Sequence, residues 1–198
     1  IASNTGTGIL AGQSSTTTVR NCRVINCYGA TATVTAYNSS TLNFIDSSIE
    51  HCSTTSKGLL FRESGAKSYV YGARFVGNVQ TAVGCFQINN TGALGGCRFE
   101  RNYFKRTVAG NVYDAVCVGV NVVRDAIPVT NCTFICNSVY DTTGKPTPVV
   151  NSPVNSCPIR FCSFVRNRTV VVTDAETVTA VSAFASDGSY KSVKGCTF

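Results

Sequence analysis

The chain has 198 residues, of which 43% are hydrophobic and only 14% charged, and it carries a formal net charge of +7. That length supports one domain with a sizeable core. No run approaches ~18 uninterrupted apolar residues, which excludes a transmembrane helix, and the basic residues are too dispersed for a nucleic-acid-binding tail.

Val, Ser, Thr, Asn and Gly dominate while Met and Trp are absent, a mixture that favours strands and turns over helices. Taken in chain order, a short apolar segment, "GILAG" at 8–12, precedes "NCRVINC" at 21–27. "TATVTAY" (31–37) precedes "DSSIEHC" (46–52), "GLLF" (58–61) precedes "GARFVGN" (72–78), and "TAVGCF" (81–86) precedes "GCRFERN" (96–102). "AVCVGV" (115–120) then leads to "NCTFICN" (131–137), "PVV" (148–150) to "FCSFVRN" (161–167), and "TAVSAF" (179–184) to "GCTF" (195–198). Such self-similarity marks a repeat architecture.

Position zero of each copy is small: Cys22, Ser47, Ala73, Cys97, Cys132, Cys162 and Cys196, at intervals of 25, 26, 24, 35, 30 and 34 residues. Two positions later stand Val24, Ile49, Phe75, Phe99, Phe134, Phe164 and Phe198. Three positions earlier stand Val19, Phe44, Val70, Leu94, Val129, Ile159 and Val193. Just before zero come Asn21, Asp46, Gly72, Gly96, Asn131, Phe161 and Gly195. Gly, Asn and Asp accept a left-handed backbone, so this column predicts a tight corner between two short strands. Phe161 is the exception and predicts a wider or distorted corner. Five positions after zero, Asn78, Asn102, Asn137 and Asn167 are placed to form a stack of amides.

Three short strands and three bends per coil follow, about seven coils in all: an all-β, single-stranded right-handed parallel β-helix, or solenoid. The phenyl rings are expected to pile in one internal column. Residues 1–198 read as a single β-helix domain. Because the chain stops within a copy of the motif, it reads as a fragment of a longer array.

The phrases "FVGN", "FERN", "FICN" and "FVRN" resemble the FxxN repeats of polymorphic outer-membrane proteins, within the pectin-lyase-like right-handed β-helix superfamily. The resemblance spans about residues 17–198. It implies the fold, and functions ranging from polysaccharide lyases and hydrolases to adhesins and structural surface proteins. Enzymes of that superfamily carry clustered carboxylates. The ten acidic residues here form no Asp-Asp pair, Asp174 and Glu176 fall in an expected loop, and His51 and Cys52 are adjacent in an extended segment and so point apart. No catalytic residue, metal site or cofactor is therefore expected.

Positions that should face outward around the corner hold Arg20, Arg23, Arg74, Arg98, Arg101, Arg160, Arg166 and Lys194, a basic face suited to an acidic glycan or to a neighbouring molecule. Extra residues at 103–114, 138–147 and 168–178 are expected to form loops on one edge. These carry Tyr103, Phe104, Lys105, Arg106, Tyr113, Tyr140 and Lys145 as binding or assembly residues. Eleven cysteines point to secretion with some disulfides. Cys27–Cys52 is the leading pair, Cys85–Cys117 the second and Cys136–Cys157 a loop closure, with Cys97, Cys132, Cys162 and Cys196 as a reduced inward stack. Sequons at Asn38, Asn89, Asn131 and Asn167 are glycosylation candidates. The function expected is an extracellular or cell-surface structural or adhesive module that self-associates, as in a filament, or binds a surface partner protein. It would bind no nucleic acid and span no membrane. The alternatives are a polysaccharide-degrading enzyme with its catalytic coils outside this segment, and an ice- or glycan-binding solenoid using the Thr rows at 16–18 and 31–35.

Overall fold

The computed structural model describes residues 1–2, 5, 8–29, 32–54, 61–81, 86–88, 91–106, 117–120, 128–142, 149–151, 158–172, 177–180, 184–185 and 193–198. These wind into a parallel β-solenoid. Each coil contributes strands to four sheets, three of seven strands and one of six. Four faces replace the expected three, because the segment after each FxxN turn is itself a strand.

The first face begins with Ile9–Ala11 and Val34–Tyr37, and the second with Thr16–Arg20, Thr41–Ile45, Lys67–Tyr71 and Thr91–Gly95. The third comprises Arg23–Ile25, Ser48–Glu50, Arg74–Val76, Arg98–Glu100, Thr133–Ile135 and Ser163–Val165. The fourth includes Tyr28–Gly29, Ser53–Thr54, Val79–Thr81, Tyr103–Arg106, Ser138–Asp141 and Arg168–Val172. Register is parallel between successive coils, as in Phe75 opposite both Ile49 and Phe99. One exception closes the fourth face: Thr177–Ala180 runs antiparallel to Arg168–Val172.

Alternation sends position zero and plus two inward. Phe75, Phe99, Phe134, Phe164 and Phe198 stack with ring centroids 4.6, 5.1, 4.7 and 5.2 Å apart and planes within 13° of parallel. Beside them runs the amide ladder. The Nδ2 of Asn78 donates to Oδ1 of Asn102, Asn102 to Asn137, and Asn137 to Asn167, each at 2.9 Å. The same oxygens also accept the backbone N–H of the coil before, and each Nδ2 also reaches a carbonyl: Ile49, Phe75 and Phe99 in turn. Asn167 is buried here and donates to the Phe134 carbonyl, so its amide is unavailable to a glycan.

Both ends of each third-face strand are left-handed. The expected corner holds at Asn21, Asp46, Gly72, Gly96, Asn131 and Gly195, with φ between 47° and 64°. Phe161 adopts the same geometry at φ 54°, so the expected distortion does not occur. Its ring covers Gly195, where a Cβ would stand 2.6 Å from Cδ1. A second corner, four positions after zero, is left-handed at Asn26, His51, Gly77, Arg101, Cys136 and Arg166.

The thiols follow the columns. Cys27 and Cys52 lie in equivalent positions on adjacent coils, as expected, yet they stand as free thiols. The Cys27 backbone N–H donates to the Cys52 sulfur at 3.3 Å, and each thiol donates to the carbonyl two residues back. Cys136 is an exposed free thiol, while Cys85 and Cys157 lie outside the described residues.

Cys97, Cys132 and Cys162 are buried in the inward column. A bond from Cys162 draws the Cys132 thiol down, but its own donation to Cys97 and its burial outweigh this and push it up to about 12. Donation to Cys132 and burial raise Cys162 further. Burial lifts Cys52 to about 11. Only a thiolate alkylates quickly. Iodoacetamide at pH 8 should therefore label the exposed Cys22 and Cys136 in the folded protein, and Cys52, Cys132 and Cys162 only after denaturation. Peptide mass mapping of the native and unfolded samples reads this directly, and native labelling of Cys132 would contradict it.

Candidate functional site

The outward wall around the first corner is where charge gathers. Arg20, Arg160 and Lys194 end second-face strands, with Arg160 level with Lys194. Arg23, Arg74 and Arg98 begin third-face strands, with Arg74 level with Ser48 on one side and Arg98 on the other. Arg101 and Arg166 occupy the second corner. All eight are exposed.

They do not form one continuous face. The fifth coil carries Thr130, between Gly95 and Arg160, and Thr133, between Arg98 and Ser163. The wall therefore splits into an upper group (Arg20, Arg23, Arg74, Arg98, Arg101) and a lower group (Arg160, Arg166, Lys194).

Acidic residues temper the upper group. Arg23 Nε donates to Glu50 Oε2 at 2.9 Å. Arg98 Nε donates to Glu100 Oε2 at 2.9 Å, and Arg101 reaches Oε1 of the same carboxylate at 3.0 Å. The bond from Arg23 holds the Glu50 carboxyl below its usual range, and the bond from Arg98 does the same for Glu100. Arg74 lies between these two pairs. It makes no ion pair of its own among the described residues, but its charge lowers both carboxyls. An open groove of about 530 Å³ follows the corner, lined by Asn21, Cys22, Arg23, Asp46, Ser47, Ser48, Glu50, Gly72 and Arg74. Small Ser48 between two arginines in register creates the gap.

The expected binding loop is different in kind. Tyr103, Phe104, Lys105 and Arg106 form a fourth-face strand, and Tyr140 lies on the next one in register with Lys105. Phe104 is fully buried in the core. Arg106 is buried too, its Nη1 3.2 Å from the wholly buried Asp141 carboxylate. These residues stabilise the interior; only Lys105 of this strand is exposed. Tyr113 and Lys145 lie outside the described residues. Asn38 and Asn131 are exposed at left-handed corners, and Asn89 lies outside the described residues.

Among the described residues no group of three or more His, Cys, Asp or Glu is placed to hold a metal ion, and no helix is long and apolar enough to cross a membrane. Comparison of the chain with protein-family models, curated proteins and solved structures finds no match.

Proposed function

We propose that the chain is a non-enzymatic, extracellular structural or adhesive β-solenoid module of the pectin-lyase-like kind, whose FxxN turns build a stiff rod and whose outer wall makes the contacts. The observation that carries this reading is the division of labour across each strand. Inward positions hold continuous columns of rings, amides and thiols from coil to coil, while outward positions vary from Arg to Ser to Thr at one register. Stacked coils of this kind give stability that scales with coil number and leave the walls free to recognise partners.

Two measurements test it. Incubation with acidic polysaccharides should release no shortened or unsaturated products by reducing-end assay and absorbance; sustained depolymerisation would favour an enzyme of the same architecture. Electron microscopy of native material should find the module within filaments or on a surface, whereas dispersed single particles would count against the structural role.

A further inference from the structure

The third and fourth coils present an unusual corner. Both corner residues there are glycines, Gly72 and Gly96. A Cβ at Gly96 would find only the Gly72 backbone nitrogen within 4 Å, so this step of the corner is open. On one side of the step stands Tyr71, 43% exposed. Its ring occupies the space over Gly95, where a Cβ would lie 2.8 Å from Cδ1. Glycine at 95 is what lets this ring settle against the wall. On the other side stand Arg74 and Arg98, level with each other on successive coils, ~4.8 Å apart in backbone spacing. The Asp46 carboxylate borders the step from the coil before, lying over Gly72.

We propose that this step is a binding shelf for an acidic sugar residue, a uronate or a sulfated hexose within a longer chain. Tyr71 offers an apolar face to the ring of the sugar. Arg74, whose guanidinium has no ion pair among the described residues, takes the carboxylate or sulfate, and Arg98 supports it from the next rung. Asp46 accepts sugar hydroxyls. The mixture of charge is what selects this partner. A nucleic acid would need a wall of uniformly positive potential along its phosphates, whereas Asp46, Glu50 and Glu100 all lie among the upper arginines. An acidic peptide adding as a strand would need an open sheet edge, but Arg74–Val76 is paired on both sides.

The shelf rests on the adhesive part of the function proposed above, and one set of titrations separates the two. Calorimetry would use an oligogalacturonate, a heparin-derived oligosaccharide, a neutral cello-oligosaccharide and a single-stranded oligonucleotide. At least one of the two acidic sugars should bind, weakening with salt, and the neutral sugar should bind at least tenfold less. Tyr71→Ala and Arg74→Gln should each weaken binding tenfold or more. Tyr71→Phe should preserve it, as should Arg166→Gln in the lower group. Circular dichroism melting checks that each variant is folded. Failure of both acidic sugars to bind overturns the shelf and leaves the structural reading standing. So does equal weakening by Arg166→Gln, which would mean diffuse attraction, or preference for the oligonucleotide. Binding followed by cleavage of the sugar would keep the shelf and overturn the non-enzymatic reading.

Discussion

Phe99→Ala should lower the stability of the solenoid by about 3–5 kcal/mol, the usual cost of deleting a fully buried aromatic side chain. Phe99 is the second of the five stacked rings, lying on Phe75 at 4.6 Å and on Phe134 at 5.1 Å. Removing it opens a void between two rigid coils and breaks two stacking contacts together. For a chain of this size each kcal/mol moves the melting temperature by about 2–4 °C, so a drop of roughly 10 °C is expected. Phe99→Leu keeps much of the apolar volume and loses the stacking, and should cost about 1–1.5 kcal/mol. Phe198→Ala serves as the contrast: that ring stacks on Phe164 at the end of the column and is 71% exposed, so its loss should cost under about 1 kcal/mol. Thermal and urea melts of the three variants check the ranking. Equal effects at 99 and 198 would mean the column is not a cooperative core.

Asn102→Asp should be comparably damaging at neutral pH, and its effect should depend on pH. In the native ladder the Asn102 Nδ2 donates both to the Phe75 carbonyl and to Asn137 Oδ1. A carboxylate keeps the acceptor that serves Asn78 but places a second oxygen against two others. An uncompensated charge in such a site costs about 3–5 kcal/mol. Burial and the facing oxygens both raise the folded pKa of the introduced acid above its unfolded value of about 3.9. The protonated form is therefore the tolerated one. Stability relative to the native chain should be best below pH 4 and should be lost as pH rises through the raised folded value. Recovery in acid stays partial, since one hydroxyl proton cannot serve two acceptors. Asn102→Leu, which cannot titrate, should show a deficit independent of pH. Melts of both variants between pH 3 and 8, each compared with the native chain, give the slopes. A deficit of Asn102→Asp that grows on acidification would refute the ladder geometry.

Much of the interior was legible because its signals are chemical and repeat. Inward Phe at plus two and Asn at plus five recur at fixed offsets, and amides and rings have few other reasons to do so. The first corner was legible through Gly, Asn and Asp. The second was not: Arg101, Cys136 and Arg166 carry no preference for positive φ, and the tertiary ladder imposes it on them. The same imposition makes Phe161 turn like its neighbours. The fourth face was misread as loops because lengthened intervals drew attention to insertion. Yet Phe104 and Arg106, and likewise Val139 and Asp141, already alternate inward, which was the available sign of a strand. The Cys27–Cys52 pairing failed for a different reason. Proximity of equivalent Cα atoms was visible in the repeat, but the parallel direction of the two side chains, and the carbonyl that each thiol reaches, belong to the folded geometry.

The amide ladder also has a direction. Asn78, Asn102 and Asn137 each pass one amide hydrogen to the Asn of the following coil and the other back to a carbonyl of the coil before. The Asn-to-Asn series is thus polar along its length, with the amide oxygens of Asn102, Asn137 and Asn167 all turned toward the coil before. Two such rods meeting tail to head could carry the series across the junction; two meeting end to like end would oppose donor to donor or acceptor to acceptor. Whole coils can be inserted or deleted without disturbing that order, so the molecule can change its reach in steps of one turn while its sense stays fixed.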